Sequence, residues 1–175
     1  MVSGLDLMSQ ANRLAPQDRR DLLADLLEMA PEARVATARD GYLALALPGG
    51  LALRFYYYPY PLVEPFGGEE LAVASALDLG LMKLGAIISR GTRRDFVDLY
   101  LLCRELPLAE LLARAPEKFG HVGDFALQAV KGLADTAAAA GEPMPGLTVA
   151  LTWDEVERWI SLEVEAAGRE LLAVP

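Results

Sequence analysis

At 175 residues with a formal charge of −9, the chain can bury one core and has little broad attraction for nucleic acid or anionic lipid. Its 53% hydrophobic and 23% charged residues match globular usage and argue against a disordered chain. The single cysteine, Cys103, excludes an internal disulfide, and its apolar neighbours make it a small buried hydrophobe rather than a nucleophile. No apolar run of about 18 residues occurs; Leu71 to Ile88 comes nearest and is broken by Asp78 and Lys83. With no secretory leader pattern either, a cytoplasmic protein that does not enter membranes is expected.

The opening Val2 to Met8 is apolar. Pro16 suits a first helical position, and Leu22, Leu23, Leu26 and Leu27 recur at helical spacing, so a helix is predicted over 16–29. Strands follow around Val35 to Ala38, at Leu43, Leu45 and Leu47, and at Leu51, Leu53 and Phe55. Turns at Asp40-Gly41 and Pro48-Gly49-Gly50 join them into an antiparallel meander with one buried face. The run Tyr56-Tyr57-Tyr58-Pro59-Tyr60-Pro61 reads as a stacking platform for bases or as an edge strand packing its rings on helices. The edge strand is the expected one.

From Ser75 the pattern is helical. Ser75 caps a helix to about Ser89, and Thr92 with Asp95 forms a capping box for the next, to about Leu106. Shorter helices are predicted over 108–115 and 122–139, then a break at Gly141 to Gly146. Thr152 and Glu155 cap a last amphipathic helix with Trp153, Val156, Trp159, Ile160 and Val164 on its apolar face. The predicted fold class is α+β, a small antiparallel or mixed sheet followed by a C-terminal helical bundle. A sheet region over 1–75 and a helical region over 76–175 are expected to pack as one domain.

Chemistry concentrates between Asp78 and Tyr100. Lys83 and Arg90 are seven residues apart, on one helix face. Gly91 ends that helix, and the next opens with Arg93, Arg94, Asp95 and Asp98. A helix N-terminus flanked by arginines is a natural phosphate site, and Lys83 adds a mobile cation. The plainer reading is structural: Asp95 caps, Asp98 pairs with Arg94 at i, i+4, and Lys83 lies on the surface. Against it, Lys83 interrupts an apolar run, and a charge there wants a partner, with Asp98 the obvious one. His121 sits in a glycine-flanked loop with no other ligand-type residue near it.

The motif D-L-x-x-M-K-L-x-A from Asp78, followed by R-G-T-x-R-D-F-x-D-L-Y from Arg90, resembles the helical motif of AbiEii-type nucleotidyltransferases. These are bacterial abortive-infection and toxin–antitoxin proteins. Phe55 to Leu62, Glu142 to Pro145 and Trp153 to Val156 extend the resemblance to most of residues 2–165. It implies a polymerase-β-like fold and magnesium-dependent transfer of a nucleotide from a nucleoside triphosphate to RNA or protein. It further implies that Lys83 is catalytic together with an aspartate, Asp95 or Asp98, and that Asp6 is the remaining metal ligand, while the arginine-flanked helix start assigns nucleotide binding to Lys83, Arg90, Arg93 and Arg94. A cognate antitoxin is an implied partner.

The chain departs from that pattern at the metal half. It is expected to begin too late to hold the family's Gly-Ser turn, and Val2 to Met8 resembles the remnant of its Ser-x-Asp-x-Asp strand. Asp6 then stands as the second carboxylate, Gly4 replaces the first, and Arg54 occupies the strand where a third is sought. Two-metal transfer needs several carboxylates, so weak or absent catalysis is expected. Three readings follow. One is a degenerate binder of nucleotide, RNA or protein. The second is an active toxin completed by another subunit or a longer N-terminus, and the third is a homo-oligomer joined at a bare sheet edge.

Overall fold

The computed structural model describes residues 4–68 and 71–172, so Val2 and Ser3 of the predicted opening strand lie outside the described residues. It divides into two compact units, one running to Pro61 and the other from Leu62 onward. The boundary falls before position 75 because the segment after Pro61 is tied to the helices. The Asp78 carboxylate accepts the amides of Val63 and Glu64, at 2.8 and 3.1 Å.

The first unit holds a four-stranded sheet in the order β1-β4-β3-β2, formed by β1 (Gly4–Ser9), β2 (Arg34–Arg39), β3 (Tyr42–Ala46) and β4 (Ala52–Tyr57). The meander β2-β3-β4 is antiparallel as expected, whereas β1 pairs parallel to β4 and makes the sheet mixed. Gly41 (φ 67°) closes the first turn in a conformation that glycine adopts without steric cost. Helix α1 (Pro16–Met29) lays Leu22, Leu23, Leu26 and Leu27 against Leu43, Leu45 and Phe55, closing one sheet face.

The tyrosine run differs from expectation. β4 is an inner strand, because β1 covers the side that the three-strand meander leaves open. Tyr56, Tyr58 and Tyr60 pack on one another, with centroids 6.4 and 5.0 Å apart along the run.

The second unit begins with a short ladder, β5 (Phe66–Gly67) and β6 (Ala72–Val73), that no sequence periodicity announces. Helices α2 (Ala76–Ser89), α3 (Arg93–Cys103), α4 (Leu108–Phe119), α5 (Phe125–Ala134), α6 (Ala137–Ala140) and α7 (Trp153–Leu172) follow. Ser75 and Thr92 accept the backbone amides of Asp78 and Asp95, as capping residues should. Thr152 and Glu155 bond reciprocally at the start of α7.

Three helix limits move. α3 stops at Cys103, α4 runs on through Pro116 to Phe119, and the segment predicted over 122–139 divides into α5 and α6. Tertiary contacts hold α4 past its proline: Lys118 pairs with Asp78, and Phe119 stacks on Phe125 at 4.2 Å. The core joins Leu77, Leu81, Leu84 and Ile87 of α2 to Phe96, Leu99, Leu111, Leu133 and Val156, all buried. Each such side chain contributes about 1.5–3 kcal/mol. Among the described residues no helix is long and apolar enough to cross a membrane.

Candidate functional site

Two helices and the tight corner between them build the cluster. Gly91 takes φ 54°, and its amide returns to the Ala86 carbonyl at 3.2 Å, so α2 ends and α3 begins almost at once. That corner turns Lys83 and Arg90 of the α2 segment toward the first two turns of α3.

Asp95 is the hub. It is 1% exposed, accepts Arg90 through two guanidinium nitrogens at 2.8 and 2.9 Å, and accepts the Thr92 hydroxyl at 2.6 Å. Lys83 adds a fourth donor, its Nζ lying 3.2 Å from Asp95 and 2.6 Å from Asp98. Burial alone would raise the Asp95 carboxyl, but the Arg90 and Thr92 hydrogen bonds and the charges of Lys83 and Arg90 bring it down to about 2. Asp95 is thus a fixed anion, occupied by donors and unsuited to accept a proton near neutrality.

Asp98 differs in kind. It is 30% exposed, with Lys83 close and Arg94 farther, at 3.8 Å. The predicted Lys83–Asp98 pair is present, and the structure adds Asp95 to it. Arg90 and Arg94 remain largely exposed, at 61% and 68% of their side chains. Three cations, Lys83, Arg90 and Arg94, stand against Asp95 and Asp98 on this face; the Glu142 carboxylate already holds the first amide of α3 at 2.9 Å, so a phosphate would be met by the side-chain cations.

Arg93, also expected at the nucleotide, is engaged by α6 and α7 instead. Its Nε donates to the Ala139 carbonyl at 2.8 Å and its Nη2 to the Ala140 carbonyl, while its guanidinium lies 4.7 Å above the Trp153 ring. Its backbone amide donates to Glu142 at 2.9 Å. These contacts tie α3 to α6, the following linker and α7, so Arg93 positions elements.

In the sheet unit, Asp6 faces Arg54 across the β1–β4 register, and Arg54 Nη1 donates to its carboxylate at 3.0 Å. A Cβ added at Gly4 would meet the Ala52 carbonyl oxygen at 2.7 Å and Arg54 Nη1 at 2.9 Å. A guanidinium therefore lies beside the position where the resemblance puts the first carboxylate, and it neutralises the second. Among the described residues no group of three or more His, Cys, Asp or Glu could hold a metal ion. These residues do not fit a magnesium pair.

Sequence reading missed one polar feature, the fully buried pair of Asp78 and Lys118, 2.8 Å apart. Ser75 Oγ also donates to Asp78, at 3.1 Å. Burial would raise the Asp78 carboxyl, yet the Lys118 hydrogen bond and the Val63 and Glu64 amides outweigh it and hold it below the usual range. The signal was there: Lys118 falls seven residues after Leu111 on the apolar face of α4, and Asp78 breaks an apolar run as Lys83 does. Among the described residues His121 belongs to no group of three or more His, Cys, Asp or Glu that could hold a metal ion. Burial, with Glu163 nearby, pushes the Cys103 thiol up to about 12, in keeping with an inert side chain.

The fold is thus that of an α+β protein with a mixed sheet and mostly C-terminal helices. It is similar to the crystal structure of JHP933 from Helicobacter pylori, with a TM-score of 0.51 and 16% identity over 98% of this chain and 77% of that one. The chain is also 32% identical over 121 residues to an uncharacterized protein of Aquifex aeolicus (strain VF5). That match takes in 66% of this chain and spans 57% of the relative's length. No family model matches.

Proposed function

We propose that the chain is a degenerate nucleotidyltransferase-like protein of the AbiEii type. It binds a phosphate-bearing ligand, a nucleotide or the backbone of an RNA, at the Lys83–Arg90–Arg94 face, with weak or no catalysis. The observation that carries this reading is the Arg54–Asp6 pair beside Gly4. Where two-metal transfer needs converging carboxylates, a fixed guanidinium neutralises the one that is present. The helical half, by contrast, keeps exposed arginines and a lysine held by two aspartates. Lys83 and Arg90 are oriented by Asp95, and the partly exposed Asp98 is the group that an incoming phosphate displaces from Lys83. Such a protein works in the bacterial cytoplasm, alongside a cognate antitoxin.

Calorimetry on the whole chain with ATP, CTP, GTP and UTP, with and without magnesium, tests the reading. Binding of at least one triphosphate that magnesium does not strengthen is expected. Lys83→Ala removes a charge-assisted contact and should weaken it by about 1.5–3 kcal/mol. Magnesium-dependent binding with turnover would instead show an active toxin completed by residues outside this chain. No binding under either condition refutes both versions.

A further inference from the structure

The other open feature is the outer edge of β2. β3 pairs with one side of this strand, no described strand pairs with the other, and all six residues from Arg34 to Arg39 are exposed. Natural edges are usually protected by charged side chains, lysine above all, by proline, by bulges or by extreme shortness. β2 has no lysine or proline, and its Ala36 and Ala38 are too small to shield the backbone groups beside them. Val35 and Thr37 favour extended structure. Its protective devices are a bulge between Val35 and Thr37 and the charges of Arg34 and Arg39, which deter any strand that does not carry the opposite charge at those positions.

The register settles where the charges lie. Arg34 stands opposite Ala46, Thr37 opposite Ala44 and Arg39 opposite Tyr42, so both arginines project from one face, one at each end of the strand. Arg39 is held over the Tyr42 ring at 5.1 Å.

A second copy of this chain fits that edge poorly. A two-fold antiparallel pairing centred on β2 sets Arg34 of each copy opposite Arg39 of the other, and like charges directly opposite are destabilising. A slip of one residue turns the arginines to the wrong face, and a larger slip shortens the ladder. Glu32 and Asp40 lie just outside the two ends, and Asp40 is already engaged by Asn12 at 3.4 Å. The complementary occupant is therefore short, with its acids inside those limits.

We propose that the β2 edge receives an extended strand from another protein, with a carboxylate near each end to meet Arg34 and Arg39. The backbone ladder supplies affinity and the two arginines supply selection. This site is in the sheet unit and does not rest on the nucleotide reading.

The test uses the whole chain and two labelled peptides, Glu-Val-Thr-Val-Glu, whose two acids share a face across the five register positions from Arg34 to Arg39, and its counterpart with lysine at both ends, compared by fluorescence anisotropy. The acidic peptide should bind at least tenfold tighter, with backbone amide shifts centred on residues 34–39. Arg34→Glu with Arg39→Glu should reverse the order, and should that variant misfold, Arg34→Gln with Arg39→Gln should abolish the preference. Equal binding of the two peptides, or shifts lying elsewhere, overturns the proposal. So does a concentration-dependent dimer that the acidic peptide leaves intact, since a second copy is then the occupant. Tighter binding of a single-stranded oligonucleotide at the same amides overturns it too, assigning the edge to nucleic acid.

Discussion

At Asp95 four donors converge on one buried carboxylate, while Asp98, one helical turn later, keeps a solvent-facing side. The two residues look alike in sequence and do different physical work. Neutralising Asp95 leaves Lys83 and Arg90 without their shared anion, and Asp95→Asn should cost about 2 kcal/mol near neutrality. Asp98→Asn removes a partly exposed pair and should cost under about 1 kcal/mol. Urea unfolding of both variants decides the matter, and equal losses would mean that Asp95 is not the hub. The same asymmetry separates their roles in binding. Asp98→Asn should strengthen phosphate affinity by releasing Lys83, whereas Asp95→Asn should weaken it by freeing Lys83 and Arg90 to wander.

Among the elements, those with local signals were legible. Pro16, Ser75, Thr92 and Thr152 mark helix starts through chemistry confined to one turn, and the alternating leucines of β3 mark a half-buried strand. The Lys83 cluster was legible for a related reason: a cation inside an apolar run demands a partner, and α3 follows at once. What depended on distant residues was not. The parallel β1–β4 pairing joins segments far apart in the chain, the direction of Arg93 depends on α6 and α7, and α4 continues past Pro116 because Lys118 finds Asp78. That buried pair fastens α4 to α2 and to the segment at Val63 and Glu64. Lys118→Met strands a buried carboxylate and should cost about 3–5 kcal/mol. Adding Asp78→Asn should recover a good part, because the amide oxygen still accepts from Val63 or Glu64 without a charge to bury. A double-mutant cycle in urea measures that coupling, and strictly additive losses would contradict it. At the α2–α3 corner, Gly91→Ala should cost about 1–2 kcal/mol, since only glycine takes φ 54° freely.

For the whole molecule, acid is the condition that separates the two units. The two buried aspartates with depressed pKa values, Asp78 and Asp95, both belong to the helical unit. A carboxyl whose folded pKa lies below its ordinary value near 3.8 stabilises the fold fully above that value and loses its contribution as pH falls through the folded one. For Asp95 the window runs from about 4 down to about 2, and its share is about 2 kcal/mol. Asp78 adds loss in the same direction, as Lys118 is left buried without its anion. Both tryptophans report on this unit, Trp153 packing on Phe96 and Trp159 on Tyr100, with centroids 5.9 and 5.5 Å apart. Tryptophan emission should therefore shift across that window, with urea midpoints falling in step. Asp95→Asn has less stability left to lose to acid, so its midpoint should start lower and decline less steeply between the same limits. An emission profile that stays flat to pH 2, or an Asp95→Asn profile parallel to the parent's, would show that acid sensitivity resides elsewhere in the chain.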